Sequence, residues 1–301
     1  MVGIVIPFFK ISYFVQTLDS LAAQNNKNFI VYIGNDASAD DPEELLAKYK
    51  TKFNFTYKRF EENLGGISLT KQWDRCIAMT NDESWIMLLG DDDYLSPNYI
   101  QKFYEYKKEI EKLEINVVRF STIVINEITG KRSNLYKHPK IERSTDFFFN
   151  KFLNSSRGSL SEHIFRKRSY IKHGFRHFPL GWGADNFAWL DFTEFGYIYS
   201  INDATAYFRI SNENISRMGY QEKIKSQTRF NYFKIIIEQH LYKFKEEQRF
   251  PLLGYYEQIA RSSKNLSYTF WLIMCKFLFK EKKYFEIIKF TRRVMYYKYR
   301  I

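Results

Sequence analysis

The sequence predicts an α/β fold: a mixed, mostly parallel central sheet flanked by helices, followed by a C-terminal helical extension. Three observations carry this. Wholly apolar runs recur at Val2–Phe8, Phe29–Ile33 and Ile86–Leu89, the pattern of strands buried on both faces of a sheet. Stretches of helical period separate them, and strands alternating with helices at this spacing build parallel sheets with right-handed crossovers. From Glu222 onward only helical patterns remain.

Each element follows from its residues. After the first strand, Phe14, Leu18, Leu21 and Ala22 share one helical face. The second strand closes on Gly34-Asn35-Asp36-Ala37-Ser38-Ala39-Asp40-Asp41, and Pro42 opens a helix through Leu45, Leu46 and Tyr49 with Asp41 as N-cap. Phe53 to Phe60 alternates as a strand does. Asn63-Leu64-Gly65-Gly66 then turns into a helix bearing Ile67, Thr70, Trp73, Ile77 and Ala78. The fourth strand begins at Trp85 and stops at Gly90, running straight into Asp91, Asp92 and Asp93.

Three adjacent carboxylates repel one another, and folding does not ask for them at the end of a core strand. A divalent cation does: Mg²⁺ or Mn²⁺ is held by one or two carboxylates, with substrate phosphates completing its shell. The alternative is a solvated acidic turn in which Asp93 or Ser96 caps the helix that starts near Pro97. Asp36 ends its strand on the same rim of a parallel sheet, where ligands of open α/β sheets bind.

The middle of the chain is more mixed. Lys102 to Leu113 is a charged helix, Val117-Val118-Arg119-Phe120 a strand, Gly130 to Pro139 a basic loop, and Ser159 to Arg166 another strand. Phe178 to Trp189 is a turn rich in Gly and Trp that leads into a helix closed by Gly196, with Asp185 at its N-terminus. The segment Asp203 to Ser211 is a late strand that carries Tyr207 and Arg209.

Charge is unevenly spread. Residues 222–301 hold 18 Lys and Arg against 7 Asp and Glu, which leaves a net +1 of the chain's +12 for everything before them. The tail helices carry aromatic stripes, Phe270, Trp271, Met274, Phe277 and Leu278 on one and Tyr284, Ile287, Ile288, Met295 and Tyr296 on the last, the latter opposite Lys289, Arg292 and Arg293. Such faces suit an interfacial helix on an anionic membrane, or a helical cap with a solvated basic side. The run Phe270 to Phe279 contains Lys276 and is too short to span a bilayer. No nucleic-acid motif is present, so nucleic acid is not an expected partner. Cys76 and Cys275 form no disulfide or zinc framework, and no secretory signal is expected, which places the protein in a reducing, cytoplasmic setting. There is no Walker loop and no Gly-x-Gly-x-x-Gly, so kinase and dehydrogenase functions are disfavoured.

Residues 2 to about 100 resemble the donor half of inverting glycosyltransferases of family 2, which have the A-type, nucleotide-diphospho-sugar transferase fold. The matching pieces are Val5-Ile6-Pro7-Phe8-Phe9, Asp36-Ala37-Ser38 with Asp40, Asn63-Leu64-Gly65, and Leu89-Gly90-Asp91-Asp92-Asp93, in the family's order and spacing. The resemblance implies that Pro7 and Phe8 line the nucleotide pocket, with Asn63 alongside, and that Asp36 hydrogen-bonds the base. It further implies that Asp91 lies by the ribose and that Asp92, with Asp93, holds a Mn²⁺ or Mg²⁺ bridging the diphosphate. Gly90 stands where the commoner Asp-x-Asp-Asp pattern has its first Asp.

Further on, the resemblance implies that Asp185 is the catalytic base of the family's Glu-Asp pair, with Ala184 in place of the Glu; the alternative is a plain N-cap. Trp182 either stacks on an acceptor sugar or packs as a core aromatic. Ser211 and Asn212 replace a late His that completes the metal shell in many relatives, and Arg209 and Arg217 face the diphosphate or form surface ion pairs. The implied domains are a catalytic domain over 1–220, divided into a nucleotide-sugar half (1–100) and an acceptor half (101–220), and a basic helical extension over 221–301. The implied activity is transfer of a sugar from a UDP-linked donor to a saccharide hydroxyl, the acceptor lipid-carried, in bacterial surface polysaccharide synthesis on the inner face of the cytoplasmic membrane. Nucleotidyl transfer to a sugar phosphate is the rival enzyme reading, and a non-enzymatic membrane- or nucleic-acid-binding protein the third.

Overall fold

The computed structural model describes residues 1–153, 156–212 and 222–299. Arg217 lies outside them. In chain order the elements are β1 (Val2–Phe8), α1 (Phe14–Ala22), β2 (Phe29–Asn35), α2 (Glu43–Ala47), β3 (Phe55–Arg59), α3 (Leu69–Ile77), β4 (Trp85–Leu88), β5 (Tyr94–Leu95) and α4 (Tyr99–Lys112). They continue as β6 (Val117–Asn126), β7 (Lys131–Arg132), β8 (Ile141–Arg143), α5 (Ser144–Leu153), β9 (His163–Arg166), α6 (Lys167–His173), α7 (Ala184–Phe192) and β10 (Tyr197–Ile210). The tail contains α8 (Glu222–Ile235), α9 (Glu246–Ser262), α10 (Tyr268–Lys280) and α11 (Tyr284–Tyr299). Two compact units result, Met1–Phe148 with Ser156–Arg217, and Phe149–Ser155 with Met218–Ile301.

The first unit is built on one sheet of order β3-β2-β1-β4-β9-β6-β10-β5, with β7 on β6 and β8 on β10. Strands β3, β2, β1 and β4 pair in parallel, as do β6 and β10, while β9 runs antiparallel between β4 and β6. This is the mixed α/β sheet expected from the sequence. The basic stretch 130–139, expected as a loop, instead contributes β7 and a bridge between Thr122 and Tyr136. The Ser133 and Tyr136 N–H groups donate to Val124 and Thr122 of β6, and the His138 N–H donates to Asn202 of β10.

Strand alternation sorts the core into two layers. Val2, Ile4, Ile6 and Phe8 of β1 face α1 and α4, whereas Val5 faces the opposite layer with Trp73 and Cys76 of α3 and with Ala188 and Trp189 of α7. Each such side chain removed from water contributes about 1.5–3 kcal/mol before conformational entropy is charged against it. Gly34 lets α3 sit tightly on β2, because a Cβ there would collide with the Cys76 thiol. Pro7 is tolerated in a central strand for a local reason. The Val5 carbonyl accepts from Leu89 on the β4 side, so the missing Pro7 N–H would point to that same side, beyond the last β1–β4 pair at Val5 and Leu88. The sheet is thus already parting where the functional rim begins.

The α7 helix does not end as its glycine suggested. Glu194 and Phe195 take the left-handed backbone (φ 51° and 63°), and Gly196 does not. In the second unit, Phe152 at the end of α5 packs among Tyr232, Phe233 and Tyr255. Among the described residues no helix is long and apolar enough to cross a membrane.

Candidate active site

The carboxyl ends of β2, β1 and β4 lie side by side, β1 in the middle, and the loops that leave them are laced together. Asp36 is the first residue after β2. Its N–H donates to the Phe8 carbonyl at 3.0 Å, and its carboxylate accepts from the Leu64 and Gly65 N–H groups at 2.8 and 2.9 Å and pairs with Arg75. A Cβ at Gly65 would collide with that carboxylate, so the glycine is what allows the backbone to approach. The Arg75 guanidinium lies 3.9 Å above the Phe60 ring. Asn63 spends its side-chain oxygen on the Gly66 N–H at 2.6 Å, holding the same turn.

The loop after β1 is fastened on both sides. Asp91 Oδ2 accepts from the Phe9 and Lys10 N–H groups at 2.7 and 2.8 Å, and Asp40 Oδ2 accepts from Ile11 N–H at 2.9 Å. Phe8 is not in the pocket wall that the resemblance implied. Its side chain is fully buried, 4.8 Å from the Phe14 ring, because strand alternation sends it inward; the exposed aromatic at this strand end is Phe9. Pro7, half-buried, is on the opposite face.

The acidic turn after β4 is the most heavily supported part of the rim. Asp93, expected on the metal with Asp92, is 3% exposed and turned inward. Its Oδ1 accepts from Arg209 N–H at 2.8 Å and its Oδ2 from the Ser161 hydroxyl. The Thr17 hydroxyl reaches the Asp93 and Asp91 carbonyls at 2.8 and 3.1 Å. Arg209 Nε donates to the Asp92 carbonyl at 2.8 Å, and its guanidinium also meets Gln16 and Glu127. At 3% exposed, Arg209 holds the turn from behind rather than facing a diphosphate. Asp92 is half-exposed at the tip. A Cβ on Gly90 would lie 3.0 Å from Asp92 Oδ1 and 3.1 Å from Asp93 Oδ2, so the glycine leaves room for both carboxylates.

Electrostatics mark this turn. Burial, then the charge of Asp92, pushes the Asp91 carboxyl up to about 6 against the pull of the Phe9 and Lys10 N–H groups. The same two causes raise Asp93 well above the carboxylate range, although Ser161 and the Arg209 N–H oppose them. Crowding of like charges disfavours the ionised form of each carboxyl, and a cation bound beside them would relieve it. The donor set fits a hard divalent ion bound in part by the protein and in part by phosphates. Among the described residues no group of three or more His, Cys, Asp or Glu forms a cage that would hold a metal by itself.

Trp182 belongs to the turn that precedes α7, and Asp185 to the first residues of that helix. A 3₁₀ turn, Pro179–Gly181, leads into α7, and Gly183 occupies the N-cap with φ 85° and no side-chain cap bond. Asp185 is therefore the second helical residue and half-buried, and Gly183, not Asp185, is the N-cap. Ala184, where the family has Glu, is fully buried against the α3 layer. A Cβ on Gly181 would touch Leu69 at 3.2 Å, and the Thr70 hydroxyl is 2.7 Å from His177 Nδ1, so the half-buried Trp182 loop rests on the start of α3. That end of α3 follows the Leu64–Gly65 turn that grips Asp36.

Sequence reasoning missed Arg75, Ser161, Gln16 and Thr17. Only Thr17 had a signal, a polar residue at the helical spacing of Phe14, Leu18 and Leu21.

Comparisons with known proteins bear on the family and the fold. The model for "Glycosyl transferase family 2" matches residues 3–174. A search of curated proteins finds no match. Among solved structures, Staphylococcus aureus TarS 1-349 in complex with UDP-GlcNAc superposes with TM-score 0.59 at 14% identity, over 97% of this chain and 91% of that one. The same protein in complex with UDP gives TM-score 0.53 at 16% identity, over 97% and 91%. The longer TarS structure gives 0.56 at 17%, over 86% of this chain and 49% of that one. These likenesses are in fold; the family match covers more than half of the sequence, and the chain belongs to glycosyl transferase family 2 and is a glycosyltransferase.

Proposed function

We propose that the protein moves a sugar, with inversion at the anomeric carbon, from a UDP-linked donor to a hydroxyl of a saccharide acceptor. The observation that carries this reading is the convergence of Asp36, the loop after β1 and the Asp91–Asp93 turn on one rim, laced by the Asp91 contacts to Phe9 and Lys10. The S. aureus structures that share the fold were solved with UDP and UDP-GlcNAc, which supports a nucleotide-sugar donor.

In this reading Asp36, oriented by Leu64, Gly65 and Arg75, meets the base, and Asp91 fixes the loop beside the ribose. Asn63 shapes the turn, and Pro7 opens the rim next to it. Asp92 would hold a Mn²⁺ or Mg²⁺, whose charge would stabilise the departing nucleoside diphosphate. Asp93 is assigned the supporting role its two buried hydrogen bonds indicate. Asp185 takes the proton from the acceptor hydroxyl as that oxygen attacks the anomeric carbon; one base suffices for inversion. Trp182 offers a ring face to the acceptor sugar.

The setting we assign is surface polysaccharide assembly on a lipid-carried acceptor, peripheral on the cytoplasmic membrane face. The family resemblance and the +11 charge of the tail support it. A screen of nucleotide-sugar hydrolysis with Mn²⁺ tests the donor. Turnover of a UDP-sugar that stops on chelation is the expected result; hydrolysis of no nucleotide-sugar with any divalent ion would remove the proposal.

A further inference from the structure

The last two helices present an unusual outer surface. α11 packs inward through Phe290 and Val294, which are buried, and turns outward Phe285, Ile288, Lys289, Arg292, Met295 and Tyr296, spaced three and four residues apart on one face. Phe285 and Ile288 are 69% and 67% exposed. The sequence pattern had set Lys289 and Arg292 opposite Ile288 and Tyr296; the structure puts them on the same side. On α10, Tyr268, Leu272 and Phe279 are likewise exposed, interleaved with Lys276 and Lys280. The Phe279 and Tyr284 rings, 5.2 Å apart, join the two stripes at the hairpin turn. Neither stripe contains an acidic residue.

Beside the α11 stripe is a depression of about 420 Å³ lined by Arg261, Lys289, Arg292, Arg293, Tyr296 and Tyr297. Glu257 takes two 2.7 Å bonds from Arg293, and Glu286 takes one of 2.9 Å from Lys289. Arg261 reaches Glu257 only at 3.8 Å and lies 4.9 Å over the Tyr297 ring, and Arg292 is exposed with no ion pair among the described residues. Four cations against two carboxylates leave the depression positive, with room for a phosphate group.

We infer that the α10–α11 hairpin lies flat on an anionic lipid surface, its aromatic and aliphatic side chains at headgroup depth and a lipid phosphate seated beside Arg261 and Arg292. Apolar side chains mixed with Lys and Arg and free of acid match that environment, where long basic side chains reach phosphates while their stems cover apolar surface. A water-facing helix would carry a polar face there. A second copy is a poorer occupant, since it would set Lys276, Lys280, Lys289 and Arg292 against the same charges. The inference gives the membrane setting proposed above its physical anchor and is independent of the donor chemistry.

The test is flotation of the full chain with phosphatidylcholine vesicles, with and without phosphatidylglycerol. Binding at least about tenfold stronger to the anionic vesicles, weakening with salt, is expected. The double variant Phe285→Ser/Ile288→Ser and, separately, Arg292→Glu should each lose about tenfold in vesicle binding. Both should keep the wild-type circular dichroism spectrum and rate of UDP-sugar hydrolysis. Equal binding to neutral and anionic vesicles, or unchanged binding by both variants, overturns the inference. Two other outcomes do so as well: a dimer that the double variant dissociates, and inorganic phosphate bound at Arg292 by a protein that ignores vesicles. Failure of the glycosyl-transfer reading would appear as absent hydrolysis in the wild type, which vesicle binding does not measure.

Discussion

The backbone N–H of Arg209 donates to Asp93 Oδ1 at 2.8 Å, joining the last strand of the first unit to the acidic turn 116 positions earlier. The Arg209 guanidinium then takes the carbonyl of Asp92 at 2.8 Å and the side chains of Gln16 and Glu127. Arg209→Ala keeps the N–H and removes the rest, taking from the turn a buried guanidinium and its bonds to the Asp92 carbonyl and to the more exposed Gln16 and Glu127. Unfolding by urea should show a loss of about 1–3 kcal/mol. Arg209→Lys should recover less than half of it, since an ammonium cannot reproduce the fork. Full recovery by Lys would mean that only charge matters at this position.

Asp92 and Asp93 separate by exposure, the first half-exposed and the second buried. Asp92→Asn should weaken Mn²⁺-dependent nucleotide binding by at least about tenfold, equivalent to about 1.4 kcal/mol, and abolish turnover. Asp93→Asn preserves an oxygen for the Arg209 N–H and an amide for Ser161, so nucleotide binding should fall by less than about threefold. Titration calorimetry distinguishes the two. Equal losses would restore Asp93 as a ligand.

Asp185→Asn should leave UDP affinity within about twofold and lower the transfer rate by at least about 10², the scale of a general base. Parallel loss of affinity and rate would remove Asp185 from the role of base.

Gly65→Ala places a methyl group against the Asp36 carboxylate. Either the turn or the carboxylate must shift, at a cost of about 1–3 kcal/mol in stability or nucleotide binding. Wild-type values for both would show that the approach of the two groups is not needed.

Acid should weaken the fold through His138. Burial, then the charge of Arg119, pushes this histidine down to about 3 from its ordinary 6.5. Between those values the unfolded chain binds a proton that the native chain does not. Stability from this group is therefore complete above about pH 6.5 and is lost as pH falls towards 3, by at most about 1.4 kcal/mol per pH unit. His138→Gln should flatten that slope in unfolding measurements across pH 4–7; an unchanged slope would assign the effect elsewhere.

Part of this protein was readable along the chain because the relevant interactions are local or periodic. Apolar runs marked β1, β2 and β4, and the carboxylates stood out at Asp36 and Asp91–Asp93 because solvation alone does not ask for them at strand ends. The family pattern of Asp36, Asn63-Leu64-Gly65 and the Asp triad needed only order and spacing, and the comparisons bear that identification out. What failed concerned direction. Phe8 belongs to the right strand and points the wrong way for a pocket, and Ile288 and Arg292 share a face that the linear pattern divided.

The sequence alone determined the alternation of strand and helix, the rim on which the acidic residues gather and the basic character of the tail, since each follows from residue type and spacing. Tertiary structure decided which carboxylate is spent inside the protein and which stays at the surface. The partners of Asp93 are Arg209 and Ser161, 116 and 68 positions away, and no local rule of chain conformation encodes a hydrogen bond across such a separation.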